Sequence, residues 1–205
     1  MAGLQIGQQV GGRMFDMMSQ RLFGNDSTQS LSKENFLAGF MAALQKKGLN
    51  VTMEEANAYV QSKAEVIKEK ATEAQYAENK AAGEKFLAEN AKKEGVKTTP
   101  SGLQYKVIKE GNGAVPTDSS TVKVHYKGTL IDGTQFDSSY DRKEPTTFKA
   151  NQVIKGWTEA LTMMPVGSKW ELYIPQDLAY GSRDAGQIKP FSTLIFEVEL
   201  VNIDK

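Results

Sequence analysis

The stretch Val124-His125-Tyr126-Lys127-Gly128-Thr129-Leu130, followed by Asp132-Gly133-Thr134-Gln135-Phe136-Asp137-Ser138-Ser139, decides how the second half of the chain folds. Val122, Val124, Tyr126, Gly128 and Leu130 alternate with polar residues, the period of a half-buried strand. Asp132-Gly133 supplies the pair that tight hairpin turns select, because glycine reaches positive φ without steric cost. The aromatic–carboxylate pair Phe136-Asp137 follows at once. The same alternation recurs at Trp170, Leu172 and Ile174, and again at Leu194, Phe196, Val198 and Leu200. Leu103–Lys109 reads as a further strand. Gly156–Met164 reads as a short helix that Pro165 closes off, since proline cannot extend the hydrogen-bond ladder. Several antiparallel strands and one short helix predict an α+β domain, with a curved sheet packed on the helix.

The first half differs in kind. All six prolines lie between 100 and 190, so no proline breaks a helix earlier. A boundary is expected between 95 and 96, with Lys97-Thr98-Thr99-Pro100-Ser101-Gly102 as the entry to the second domain. A first helix is expected from about 3 to 22. Its Gly3, Gly7 and Gly11 share a face that would let another helix approach closely; a frayed terminus is the alternative. Gly24-Asn25-Asp26-Ser27 is a break. Ser32 is a candidate N-cap for a second helix bearing Phe36, Leu37, Phe40, Met41 and Leu44 at helical spacing. Lys46, Lys47 and Gly48 would end it. Thr52-Met53-Glu54-Glu55 matches a capping box. Residues 53–94 then form either one helix of about 60 Å or two helices broken near Gly83. Their apolar positions (Val60, Ile67, Ala71, Ala74) are sparse, as in a solvent-bridging arm.

Composition excludes several function classes. The 205 residues carry 25 basic and 25 acidic side chains, so no net charge recommends nucleic acid as a partner. Without cysteine there is no disulfide, thiol nucleophile or cysteine-held zinc. His125 is the single histidine, which rules out a histidine-rich metal site. No window approaches the roughly 18 apolar residues of a membrane helix. Residues 1–20 lack a basic segment before an apolar core. The expectation is a cytoplasmic protein, or a periplasmic one if a signal was trimmed.

The second half is poor in reactive groups. Asp132, Asp137 and Asp141 lack the glycine and terminal glutamate of a calcium loop. Gly111-Asn112-Gly113 opens no helix, so it reads as a turn, not a phosphate loop. His125 alternates with Tyr126 and is expected on the outer strand surface. Aromatic residues remain: Tyr126, Phe136, Phe148, Trp157, Tyr180 and Phe196. Periodicity alone makes them ordinary core.

These segments, with Val153-Ile154-Lys155-Gly156-Trp157 and Ala179-Tyr180-Gly181, resemble the FKBP family of macrolide-binding peptidyl-prolyl cis–trans isomerases. The resemblance covers about residues 100–205. It implies that the aromatic residues line a shallow cleft that accelerates Xaa-Pro rotation in unfolded polypeptides without cofactor or metal. Trp157 would be the floor, with Tyr126, Phe136, Phe148 and Phe196 around it and Val153, Ile154 and Ile188 at the rim. Ile154 N–H and the Tyr180 hydroxyl would donate to substrate carbonyls. Asp137 would sit at the edge, held by Tyr126 and Arg142, and Arg142 would also count among the substrate-binding residues. Three features depart from well-known members. Thr146 stands where an aromatic is common, the Ser182–Pro190 loop is about one residue shorter, and Gln187 and Lys189 flank Ile188. These leave macrolide affinity and the preference before proline open.

The first half, through Gly83-Glu84-Lys85-Phe86-Leu87 and Asn90-Ala91-Lys92-Lys93-Glu94-Gly95-Val96, resembles the two-domain bacterial group of this family, similar to macrophage infectivity potentiators. That implies a homodimer through the N-terminal helices, with no membrane or nucleic-acid partner. The rival expectation is a dimeric folding chaperone whose isomerase activity is secondary.

Overall fold

The computed structural model describes residues 9–23, 31–45 and 52–204. Compactness divides the chain into residues 1–74 and residues 75–205.

In the first unit a π-helical turn, Gln9–Met14, leads into α1 (Phe15–Phe23); α2 (Lys33–Gln45) and α3 (Met53–Gln75) follow. Ser32 caps α2, its Oγ accepting from Asn35 N at 3.2 Å. Thr52 and Glu55 form the expected reciprocal box. Thr52 N donates to Glu55 Oε2 at 2.8 Å and Glu55 N to Thr52 Oγ1 at 3.2 Å. Gly3, Gly7, the 24–27 break and the residue 46–48 helix end lie outside the described residues. Gly11 comes no nearer than ordinary contact with Leu37. The Phe36 stripe is partly satisfied within the unit, because Phe36 meets Phe15 edge-on at 5.6 Å. Met17 and Met41 stay 63% and 49% exposed.

The run after Thr52 is two helices, and the break is not at Gly83. It falls at Tyr76, whose ψ of 23° departs from helical values, and α4 (Ala77–Asn90) follows. Gly83 is buried inside α4. A Cβ there would stand 2.4 Å from Thr193 Oγ1, so the glycine permits close packing against the sheet domain.

The second unit holds seven strands: β1 (Val96–Thr98), β2 (Gln104–Lys109), β3 (Thr121–Leu130), β4 (Gln135–Ser138), β5 (Thr146–Lys149), β6 (Lys169–Ile174) and β7 (Leu194–Asp204). The single helix between β5 and β6 is α5 (Lys155–Leu161). All pairings are antiparallel, in the order β1-β2-β6-β7-β3-β4, with β5 also on β3. The predicted alternation holds. Val122, Val124 and Tyr126 on β3, Leu172 and Ile174 on β6, and Phe196, Val198 and Leu200 on β7 are buried inward. Trp157, Ala160 and Leu161 of α5 fill that face. The helix lies close enough for a Cβ on Gly156 to stand 2.5 Å from Ile174 Cγ2. The turn at Asp132-Gly133 forms as read, with Gly133 at φ 88° and Leu130 N donating to Thr134 O at 2.9 Å.

α4 covers part of the other face. Phe86 lies 6.1 Å from the buried Tyr173, and Asn90 Nδ2 donates to Gln104 Oε1 at 3.0 Å. Gln104 Nε2 donates to Leu87 O at 2.9 Å. Residues 77–90 therefore pack with the sheet. The boundary read between 95 and 96 falls at the start of β1.

Candidate functional site

An apolar cleft of about 530 Å³ opens between the inner face of the sheet and the N-terminus of α5, within the usual range for ligand sites. Tyr126 from β3, Phe136 and Asp137 from β4, Phe148 from β5, Trp157 from α5 and Phe196 from β7 converge on it. Val153, Ile154, Tyr180 and Ile188 complete it from the loops. Ten of the eleven site residues expected from the sequence thus share one cavity.

Trp157 is the floor. Tyr126, Phe148 and Phe196 meet it edge-on at centroid distances of 5.2, 5.6 and 5.2 Å, with interplanar angles of 82–85°. Phe136 meets Phe196 edge-on at 5.5 Å. Each perpendicular pair sets a positive ring edge against a negative face, which fixes the rings as well as burying them. Gly128 is part of the arrangement. A Cβ at that position would stand 2.6–2.7 Å from the rings of Phe136 and Phe196, so the strand must carry glycine where they cross it.

Asp137 is the one anion of the cleft and is firmly held. Tyr126 Oη donates to its Oδ2 at 2.5 Å, while Arg142 Nη1 and Ser138 N donate to its Oδ1 at 2.7 and 2.8 Å. Burial alone would raise its pKa. The hydrogen bonds from Tyr126 and Arg142 outweigh that and leave it below the ordinary aspartate value. Burial, then the bond to Asp137, pushes the Tyr126 phenol up, so the shared proton stays on tyrosine. Arg142 holds Asp137 as expected and is not among the residues that line the cavity. It stands behind Asp137, donating also to Tyr126 Oη at 2.9 Å and Thr146 Oγ1 at 3.2 Å. Thr146, the missing aromatic of the cleft edge, thus helps hold that guanidinium.

Ile154 N–H makes no backbone hydrogen bond among the described residues, although its carbonyl caps α5 by accepting from Trp157 N at 2.9 Å. The Tyr180 ring also lines the cavity. Gln152, Lys155, Ala179 and Arg183 line it too and were missed. Three of them adjoin expected residues in sequence, which was the available signal; Arg183 was not signalled. Arg183 lies over the Tyr180 ring at 6.0 Å. His125 is on the opposite face, stacked on Tyr140 at 4.9 Å with Nδ1 3.1 Å from Ser139 Oγ. Among the described residues the cleft presents no serine, cysteine or histidine nucleophile.

Comparison with known proteins agrees with this geometry. Residues 113–201 match the family described as FKBP-type peptidyl-prolyl cis-trans isomerase. Residues 1–107 match the domain amino-terminal to FKBP-type peptidyl-prolyl isomerase. The chain is 48% identical to the FKBP-type 22 kDa peptidyl-prolyl cis-trans isomerase of Escherichia coli (strain K12), over 98% of this chain and 91% of that protein. It is 55% identical to the outer membrane protein MIP of Legionella longbeachae, over 62% of this chain but only 55% of that protein. The crystal structure of FkpA from Escherichia coli superposes with a TM-score of 0.63 at 37% identity, covering 98% of this chain and 94% of that one. An aromatic cleft with a tethered carboxylate, on a sheet domain that follows the family's amino-terminal helical domain, makes this chain a member of the two-domain FKBP-type peptidyl-prolyl cis–trans isomerases.

Proposed function

We propose that the cleft itself performs the isomerisation that the family name describes, with the proline ring of an unfolded polypeptide seated on Trp157. The observation that carries this is the cavity's content: aromatic walls and one fixed carboxylate, with no serine, cysteine or histidine among the lining residues. Rotation about Xaa-Pro meets a barrier of about 18–20 kcal/mol because amide resonance must be broken. The apolar walls strip water from the carbonyl, whose charge separation favours the planar state. Ile154 N–H and the Tyr180 hydroxyl then hold the twisted conformer better than the planar ones. Asp137, fixed by Arg142, keeps Tyr126 and the cleft edge in place. A ten-thousand-fold acceleration needs only about 5.5 kcal/mol of such differential binding. No cofactor or metal enters the scheme. Exchange spectroscopy on a proline peptide tests it, and an unchanged exchange rate at stoichiometric protein would refute it. A macrolide seated on the same rings should slow the exchange.

The pH profile follows from Asp137 and Tyr126. A carboxylate whose folded pKa is lowered contributes above its unfolded value and is lost as pH falls through the lowered one. Tyr126, raised, stays protonated through the alkaline range. Activity should be flat from about pH 5 to about pH 9 and fall only in acid. A bell centred near neutrality would point to a titrating group outside the cleft.

The helical unit supports a homodimer. Met14, Met17 and Met18 on its first helical segment leave 44%, 63% and 39% of their surface uncovered, more than a lone helical unit needs to expose. The same adaptable methionine surface favours the second reading, a chaperone that holds unfolded chains. Light scattering decides the first point: a full-length monomer at tens of micromolar refutes the dimer. Residues 75–205 keep the α4 packing that residues 96–205 would lose, so the longer fragment suits the comparison. It should be monomeric and active on a short peptide, yet poorer at assisting refolding of a large protein. For location, the outer membrane name of the Legionella longbeachae relative favours the cell envelope over the expected cytoplasm.

A further inference from the structure

We propose that Asn79, on α4 and outside the cleft, is a positioning residue that fixes the loop presenting Tyr180 and Ile188 to substrate. The loop runs from Gly181 to Phe191 and is closed at its neck by Phe191 N donating to Gly181 O at 2.8 Å. Tyr180 precedes that neck, and Ile188 lies three residues before its far end; both line the cavity. Within the loop Ala185 and Ile188 form a single antiparallel bridge. The neck is conformationally demanding. Phe191 is buried at φ 60°, a region that residues other than glycine occupy only when their surroundings impose it.

Asn79 supplies that constraint. Its Nδ2 donates to Pro190 O at 2.7 Å and to Ser192 Oγ at 3.0 Å, one bond on either side of Phe191. Ser192 Oγ in turn donates to Lys189 O at 2.7 Å. Both amide hydrogens are therefore spent on holding 189–192 in one shape. One turn further along α4, the buried Gly83 lets the helix close on Thr193. Lys80 places its amine 5.8 Å from the Phe191 ring centroid. No other element offers this segment a side-chain donor pair among the described residues. The cleft's outer wall is thus set by the arm helix, which carries no cleft residue itself.

The inference rests on the cleft reading above, and its test separates the two. Full-length Asn79→Ala should raise KM for a proline peptide about three- to tenfold with kcat nearly kept, because the wall is displaced while the floor is intact. Asn79→Asp should be at least as impaired, since a carboxylate cannot donate to Pro190 O. Asn79→Gln, which retains both donors on a longer stem, should recover part of the loss. The Ile188 methyl resonance should shift in Asn79→Ala and not in Ser62→Ala, an exposed site on α3. Unchanged KM together with an unmoved Ile188 resonance would overturn the proposal, even if thermal stability fell. An inactive wild-type protein would overturn the cleft reading instead, and the Ile188 resonance would still decide whether Asn79 sets the loop.

Discussion

Replacing Trp157 by alanine is expected to lower stability by about 3–5 kcal/mol and to abolish isomerase activity in whatever fraction still folds. The side chain is 4% exposed and three rings meet it edge-on, so its removal leaves a hole that those rings cannot close without leaving their own partners. The hole would open into the cleft that Trp157 lines. Denaturant unfolding and peptide exchange on the same sample measure both effects. Trp157→Phe is the informative companion. Trp157 Nε1 is buried without a hydrogen-bond partner among the described residues, so phenylalanine removes an unpaired donor as well as ring volume and should cost far less. A stability loss below about 1 kcal/mol for the alanine variant would mean the ring cluster is not part of the core.

Asp137→Ala should lower kcat/KM by about 10- to 100-fold, the range for deleting charge-assisted hydrogen bonds. The loss arises on both sides of the carboxylate. Arg142 and the Tyr126 hydroxyl each lose an acceptor, and Tyr126 is a wall of the cleft. Stability should change much less, because the Asp137–Arg142 pair is 43% exposed at both ends and largely screened by water. Phe136→Ala should also cut activity by opening the wall. His125→Ala should stay within about twofold, since its ring packs on Tyr140 across the sheet. Equal losses at 125 and 137 would sink the assignment of the two sheet faces.

Much of this site was legible because strand periodicity carries facing information. On strands of period two, Tyr126 and Phe196 must share a face with Val124 and Val198. What periodicity could not convey was that these aromatics surround an open cavity. That came from the resemblance, and the perpendicular ring contacts supply the geometry. Arg142 holds Asp137 as expected, but proximity in sequence does not say whether a guanidinium also reaches into the cavity, and this one is not among its lining residues. The break at Tyr76 was missed because neither proline nor glycine marks it. Gly83 misled for the opposite reason: it answers to Thr193, more than a hundred residues away, and no local pattern reports such a contact. The packing of α4 on the outer face was invisible for the same cause. Phe86, Asn90 and Gln104 are separated from their partners by turns of chain that composition cannot fold.

The position of β7 bears on how the protein is made. It lies between β6 and β3, pairing with ten residues of β3 and six of β6. Residues 194–204 are therefore synthesised last among the strands yet stand in the middle of the sheet. A nascent chain lacking them holds β1, β2 and β6 on one side of a gap and β3, β4 and β5 on the other, with both inner edges unpaired. Such edges invite pairing with other chains, and closure over so long a sequence separation is slow. A prolyl isomerase is thus itself an open sheet until its final strand leaves the ribosome.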